Sequence, residues 1–395
     1  MAKAAILGYG VVGSGVYEIL SGNSENIEKK AGQKIDVKYI LDLRDFPDHP
    51  HQELFTKDFN DVLNDDEVDV VVEVMGGVNP AYDFSKAALL KGKNVITSNK
   101  ELVAACGTEL MQIAKENSVN YLFEASVGGG IPIIRPLNQC MTANRIEEIY
   151  GILNGTTNYI MTKMAKEGAD FDEVLKEAQR LGYAERNPEA DVCGHDACRK
   201  IAILSSLASG KFVDYKNIPT EGITEITTVD VKFASKLSAV IKLIASAKLS
   251  EDGKVFARVA PMIVPMSHQF ASVNGVFNAI LLHGDYVGDV MFYGRGAGKL
   301  PTASAVVADV IDAVKHIKTN KWQEWTDKGS DFMVDAKDVS CRYFVRTNDK
   351  SLCSEFENAE CLGEIDGQFG FVTDEIPEGE FLEKLNGRGA FIRML

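Results

Sequence analysis

Residues 4–15 read AAILGYGVVGSG. A short apolar run with strand character leads into Gly8-Tyr9-Gly10-Val11-Val12-Gly13, and a helical stretch follows at once. A G-x-G-x-x-G is weak evidence by itself, because glycines collect in many purely structural turns. Placed between a strand and a helix, it meets the condition a dinucleotide fingerprint requires. In that setting Gly8 permits the tight turn, Gly10 lets the backbone approach a pyrophosphate, and Gly13 allows close helix–strand packing. The helix start then presents unpaired N–H groups and partial positive charge to the phosphates.

Outward from this stretch the same alternation repeats. Nearly continuous apolar runs at 36–43, 68–77, 94–100 and 120–126 are separated by helical segments. Such runs suit strands covered on both faces, so residues 1–137 predict βαβ units around a parallel sheet, a Rossmann-type α/β domain. The second run ends in Leu41-Asp42-Leu43-Arg44. An acidic residue there accepts from a ribose 2′-hydroxyl, whereas an arginine holds a 2′-phosphate. Both Asp42 and Arg44 are offered, so the choice between NAD and NADP stays open. Ser98-Asn99-Lys100 closes the fourth run, where ligands of open parallel sheets bind, although lysines after strands are also common on plain surfaces. Glu124-Ala-Ser-Val-Gly-Gly-Gly-Ile-Pro132 ends the fifth. Its carbonyls together with a carboxylate suit a hard cation, or the glycines serve a hinge without any ion.

From 138 to 293 the character changes to an α+β domain. Residues 145–160, 257–265 and 276–294 carry strands of a second sheet, with helices expected at 157–166, 172–181, 196–209 and 230–245. A glycine-rich turn then feeds an amphipathic helix over 294–315, returning the chain to the first domain through residue 320. A polar stretch with Trp322 and Trp325 is expected as linker. Residues 341–395 hold three short strands and the helix EGEFLEKL, a small C-terminal α+β module.

The helix DACRKIAILSSLA (196–208) poses a problem of its own. At about 100° per residue, Ala197, Ile201, Leu204, Leu207 and Ala208 form one apolar stripe with Lys200 near its middle. Asp196 lies one turn earlier on the same face. Burying unpaired charge is costly, so such groups pair with each other or with a ligand. A desolvated lysine there can move a proton. Glu185 and Asp191, in the loop before this helix, could bind an amino group. The hydroxyls of Asn154-Gly155-Thr156-Thr157-Asn158 could hold a carboxylate or simply cap a helix.

Composition narrows the classes. Net charge is −15 over 395 residues, which argues against nucleic-acid binding through basic patches. There is no apolar run long enough for a membrane span and no signal-like N-terminus. The 7 cysteines form no C-x-x-C, as expected for reduced thiols in a cytoplasmic protein without disulfides or zinc. The 6 histidines show no metal-ligand spacing.

In order, GYGVVG, ITSNK, EASVGGGIP, ILNGTTNYIM, LGYAERNPEADVCGHDACRKIAIL and GAGKLPTASAVVAD closely resemble the homoserine dehydrogenase family, over roughly residues 4–315. The resemblance implies NAD(P)-linked interconversion of L-homoserine and L-aspartate 4-semialdehyde, on the aspartate route to threonine, methionine and isoleucine. It implies a Rossmann domain plus a substrate domain whose sheet builds a homodimer or a dimer of dimers. Lys200 matches the family's proton-donating lysine, with Asp196 aiming it, and Lys100 its second active-site lysine. Glu185, Asp191, Thr156 and Gly155 match positions that contact the substrate. Gly8, Gly10, Val11, Val12, Gly13, Asp42, Arg44, Gly76, Ser98, Lys100 and Gly298 match the cofactor side. Glu124, Val127, Gly129 and Ile131 match a monovalent-cation (sodium) site built mostly from backbone carbonyls. Two departures stand out. Leu41 occupies a place where many members carry an arginine. The tail RYFVRTNDKSLCSEF lacks the Asp-x-Pro-Gly-Val-Leu segment of a full ACT regulatory domain, so 341–395 resembles a shortened ACT-like module.

Overall fold

The computed structural model describes residues 1–321 and 325–395. Trp322 of the expected linker lies outside the described residues. The chain divides into two compact units: residues 1–144, 206–214 and 294–328 form the first, and residues 145–205, 215–293 and 329–395 the second.

The first unit is built on six parallel strands, in the order Phe55–Thr56, Ile35–Leu41, Ala2–Leu7, Val68–Glu73, Asn94–Thr97 and Tyr121–Leu122. This is the doubly wound arrangement, and the strand order reverses between Ala2–Leu7 and Val68–Glu73, where a ligand crevice forms at the carboxyl ends. The β-branched runs follow from burial on both faces. On one face Ala4, Ile6, Val70, Val72 and Ile96 pack with Val16 and Leu20 of the helix Val11–Gly22 and with Val306 and Val310 of the helix Lys299–Lys315. Gly15 makes that helix pair possible, since a Cβ on it would sit 3.0 Å from the Ala303 Cβ.

Trp325 corrects the linker expectation. It is 3% exposed, and its indole Nε1 donates to Thr108 Oγ1 at 2.7 Å on the helix Lys100–Glu116. Gly107 supplies the slot, because a Cβ there would fall 2.8 Å from the indole ring.

The second unit carries a nine-stranded sheet, ordered Gly288–Arg295, Phe277–Gly284, Ile146–Ile152, Ala239–Leu249, Val255–Pro265, Ala390–Met394, Tyr343–Thr347, Gln368–Val372 and Glu360–Ile365. Residues 341–395, expected as a shortened ACT-like module, thus supply four strands to the same sheet. The join is the parallel pairing of Arg393 and Met394 with Met262 and Ile263. The helix expected over 230–245 is a correction. A helix covers only Thr228–Lys236, Ser238 turns the chain at φ 53°, and Ala239–Leu249 is a strand. That strand pairs antiparallel with Val255–Pro265 at eleven positions, and this ladder outweighs the helical spacing of the sequence. Among the described residues, no helix is long and apolar enough to cross a membrane.

Candidate active site

In the first unit the glycine motif sits where the strand Ala2–Leu7 turns into the helix Val11–Gly22. Gly8 has φ +97°, a conformation that side chains rarely adopt. A Cβ on Gly13 would fall 1.9 Å from the Gly8 carbonyl oxygen, so helix and turn touch only because residue 13 is glycine. At Gly10, by contrast, nothing lies within 4 Å of such a Cβ, and Gly10 caps the helix without a side chain. The first N–H groups of a helix have no acceptor within it, and the open space beside Gly10 at this helix start is fit for a phosphate. Val12 packs against the core beneath them.

A cleft of about 450 Å³ adjoins this turn, lined among others by Gly8, Gly10, Asp42, Arg44, Lys57 and Met75. Asp42 accepts the Tyr9 N–H at 2.7 Å and pairs with Arg44 through Nε and Nη2. Hydrogen bonding to Arg44 holds its carboxyl far below the usual carboxylate range. The Arg44 guanidinium also lies over the Phe46 ring, 5.2 Å from its centroid. Lys57, which sequence reasoning missed, is a second cation in the cleft and pairs with Asp45 at 2.7 Å. The chemistry and shape of the cleft fit the adenosine end of a dinucleotide.

Glu73, also missed, organises the next turn. Its buried carboxylate accepts from Thr97 Oγ1 at 2.6 Å and from the Met75 N–H at 2.8 Å, and burial raises its pKa. The strand ends that carry Gly76 (φ +89°) and Ser98 are thereby tied together. Asn99 accepts from the Leu102 N–H and so caps the helix on which Lys100 is the first residue. Gly298, at φ +122°, occupies the corresponding cap of Lys299–Lys315.

The loop 124–131 is buried except at Gly130, with Gly129 at φ +57° and Val127 and Ile131 in the core. A Cβ on Gly129 would fall 2.1 Å from the Gly296 carbonyl oxygen, so the two glycine-rich turns are packed together. The Glu124 carboxylate is held by the chain that follows it. It accepts the N–H groups of Ile133 and Ile134 on one oxygen and those of Arg135 on the other. An N-terminal helical turn draws a carboxylate in this way. Among the described residues, no group of three or more His, Cys, Asp or Glu is placed to hold a metal.

The second unit answers the puzzle of the charged stripe. Ala197, Ile201 and Leu204 of the helix His195–Ser209 are buried, and so are Asp196 (3% exposed) and Lys200 (8%). Lys200 Nζ donates to Asp196 Oδ2 and to the Leu153 carbonyl, both at 2.7 Å. Asn154 Nδ2 in turn donates to Asp196 Oδ2 at 2.9 Å and to Asp191 Oδ1 at 2.8 Å. Asp191 belongs to the short helix Glu189–Val192. One polar cluster thus gathers Asp191, Asp196 and Lys200 at the start of the helix Gly155–Glu167. The Thr156 hydroxyl donates to the Tyr183 carbonyl at 2.6 Å, which leaves its lone pairs to accept from a ligand. Gly155 lies close under the Val276 carbonyl, 2.9 Å from where a Cβ would be. Glu185 is exposed in the loop between these helices. Lys100 belongs to the first unit and Lys200 to the second.

Comparison with known proteins identifies the family. A model of the homoserine dehydrogenase NAD binding domain matches residues 8–124, and a homoserine dehydrogenase model matches residues 132–311. A homoserine dehydrogenase from Synechocystis is 46% identical over 323 residues, 79% of this chain and 73% of that one. One from Bacillus subtilis is 42% identical over 323 residues, 80% of this chain and 73% of that one. The crystal structure of a homoserine dehydrogenase from Thiobacillus denitrificans superposes with a TM-score of 0.89 at 34% identity, covering 100% of this chain and 98% of that one. A hyperthermophilic archaeal homoserine dehydrogenase mutant in complex with NADPH matches with a TM-score of 0.67 at 28% identity, over 79% of this chain and 97% of that one. With a Rossmann-like unit, a mixed-sheet partner unit and these relatives, the chain belongs to the homoserine dehydrogenase family.

Proposed function

We propose that this chain interconverts L-homoserine and L-aspartate 4-semialdehyde, with Lys200 as the group that moves the proton. The observation that carries this reading is the buried lysine held by Asp196 and the Leu153 carbonyl in a protein of this family. A bound nicotinamide dinucleotide supplies or accepts the hydride. When the aldehyde is reduced, the Lys200 ammonium faces the developing alkoxide, stabilises its charge and donates the proton, directly or through a water. In the reverse direction the neutral amine takes the hydroxyl proton. Asp196 keeps the amine aimed. Glu185 and Asp191 take the substrate's ammonium group, with Gly155 and Thr156 contacting the rest of the amino acid. Lys100 is the second lysine of the reaction.

On the cofactor side the Asp42–Arg44 pair supports use of both dinucleotides. Arg44 and Lys57 offer positive charge to a 2′-phosphate, and Asp42 offers an acceptor to a 2′-hydroxyl. Gly8, Gly10, Val11, Val12, Gly13, Gly76, Ser98 and Gly298 shape the remaining contact surface. A sodium-sized cation would rest on the carbonyls of Glu124, Val127, Gly129 and Ile131. The assembly we expect is a homodimer or a dimer of dimers, in the cytoplasm.

The test is homoserine-dependent reduction of NAD and of NADP, followed by the absorbance of the reduced nicotinamide, with and without sodium and threonine. Turnover with homoserine supports the reading. A folded protein that binds dinucleotide yet leaves homoserine unoxidised rejects it.

A further inference from the structure

The Asn154 side chain does more than cap a helix. A primary amide has two N–H donors and one oxygen with two lone pairs. Here Nδ2 donates to Asp191 Oδ1 (2.8 Å) and to Asp196 Oδ2 (2.9 Å). Oδ1 accepts from the Thr157 N–H (2.9 Å) and from Thr157 Oγ1 (3.1 Å). The side chain is buried, so its whole hydrogen-bonding capacity is used inside the protein. The reverse amide orientation would set the oxygen against two carboxylates and the NH₂ group against an N–H donor, so the network admits only one assignment.

Capping alone does not explain the residue. Serine, threonine or aspartate caps a helix as well as asparagine does. Only asparagine accepts at the helix start while donating to two carboxylates at once. Its immediate neighbour adds to the effect, for the Leu153 carbonyl is the second acceptor of Lys200 Nζ. Residues 153 and 154 therefore fix the lysine from one side and its carboxylate partner from the other.

We propose that Asn154 is a positioning residue of the reaction: its amide ties Asp191, the carboxylate read as meeting the substrate's ammonium, to Asp196, which aims Lys200. The inference rests on the reaction proposed above. Through Asn154, seating of the amino acid and placement of the proton-moving lysine become one event, so that loss of the amide donors disturbs both binding and turnover.

Asn154→Asp is the decisive variant, because the new side chain keeps the cap and removes the donors. Replacing hydrogen bonds to charged groups should lower kcat/KM for homoserine roughly 10- to 100-fold, shared between a higher KM and a lower kcat. Dinucleotide affinity should be that of the unaltered chain. Asn154→Ser, which can also cap but is too short to bridge the carboxylates, should behave similarly and serves if the aspartate variant does not fold. A kcat and KM per folded site equal to those of the unaltered chain would overturn the proposal. So would a loss of activity that only follows the folded fraction. If the unaltered chain does not oxidise homoserine at all, the underlying reading falls first and this proposal with it. If it does, and Lys200→Met abolishes turnover while Asn154→Asp does not alter it, the positioning role alone is rejected.

Discussion

The Asp42 carboxylate grips the Arg44 guanidinium in a bidentate pair, 3.0 Å from Nε and 2.8 Å from Nη2, while also accepting the Tyr9 N–H. Each partner governs the other's use. Arg44 neutralises a carboxylate that would repel a 2′-phosphate, and Asp42 restrains the cation that would bind one. Arg44→Ala should therefore raise KM for NADP by roughly 10-fold or more, since a phosphate contact is lost and a bare carboxylate faces it. KM for NAD should hold or fall, because Asp42 becomes free to accept from a ribose hydroxyl. Initial rates with both cofactors decide this, and an equal loss with each would remove Arg44 from cofactor selection.

Lys200 lies almost wholly inside the protein with two acceptors at 2.7 Å. Lys200→Met keeps most of the length of the side chain, ending one atom short, and removes the proton and the charge. General acid–base groups contribute about 10²- to 10⁴-fold, and kcat should fall by that order. Dinucleotide binding, measured by fluorescence titration, should be unaffected because the GYGVVG turn and the Asp42–Arg44 pair proposed to hold the cofactor lie in the first unit. Turnover close to that of the unaltered chain would take Lys200 out of the chemistry.

How far these features could be read in the sequence depended on how local their causes are. The GYGVVG turn was legible because its demand is steric and acts within six residues. The Asp196–Lys200 pair was legible because helical spacing alone puts both on one face. Trp325 was misread as linker because its slot is made by Gly107, more than 200 residues away along the chain. Residues 239–245 of the strand Ala239–Leu249 fall in the expected helix because their apolar spacing fits either period, and only pairing with Val255–Pro265 decides between them. Lys57 and Glu73 carry no local signature, as each is defined by strand ends that the sheet brings together. For Glu124 the sequence leaves open a cation or a hinge, and it does not show that the N–H groups of residues 133–135 fold back onto the carboxylate.

Gly13 tests the dinucleotide turn by sterics alone. A methyl group there would sit 1.9 Å from the Gly8 oxygen and 3.3 Å from Val74 Cγ2, neither of which belongs to a flexible chain end able to step aside. Gly13→Ala should push the helix Val11–Gly22 off the turn and weaken dinucleotide binding at least about 10-fold, with a destabilisation of about 1–3 kcal/mol from overpacking. Gly10→Ala has room for its methyl group and should spare stability while still obstructing the phosphate. Thermal melts with and without dinucleotide separate the two; a Gly13→Ala variant that binds as before would contradict the assignment.

Glu378 is the pivot of a buried ion network in the second unit. It bonds Arg393 through both oxygens, at 2.9 and 3.0 Å, and Arg258 Nη2 lies 2.6 Å away. Both arginines are buried, and the hydrogen bonds of Arg393 hold the Glu378 carboxyl below its ordinary pKa despite burial. Glu378→Ala takes the carboxylate from Arg258 and leaves Arg393 paired through Nη1 with Glu221 at 2.8 Å. Breaking one partner of a buried pair costs about 3–5 kcal/mol, so the melting temperature should fall sharply. Arg258→Met together with Glu378→Ala should recover part of the loss, as one stranded charge is removed with its partner. A melting temperature indifferent to Glu378→Ala would show the network to be energetically idle.

Asp309 gives a prediction in which the sign depends on pH. The residue is buried in the helix Lys299–Lys315 and accepts the Glu124 N–H at 2.8 Å. Burial raises its pKa to about 8, against the opposing pull of Arg135, whose Nη1 is 3.7 Å away. Glu124 and Asp312 add negative charge nearby and reinforce the rise. In the unfolded chain an aspartate releases its proton near pH 4, whereas in the folded protein it keeps the proton until about pH 8. Between those values the folded state binds more protons than the unfolded one. Its stability from this group therefore falls as pH rises through that window and levels off above it. Asp309→Asn retains an oxygen to accept the Glu124 N–H and cannot ionise, so this component disappears. The variant's melting temperature, relative to that of the unaltered chain, should climb steadily from about pH 5 to about pH 8. Parallel melting curves across that range would mean that Asp309 ionises normally in the fold, with Arg135 outweighing burial.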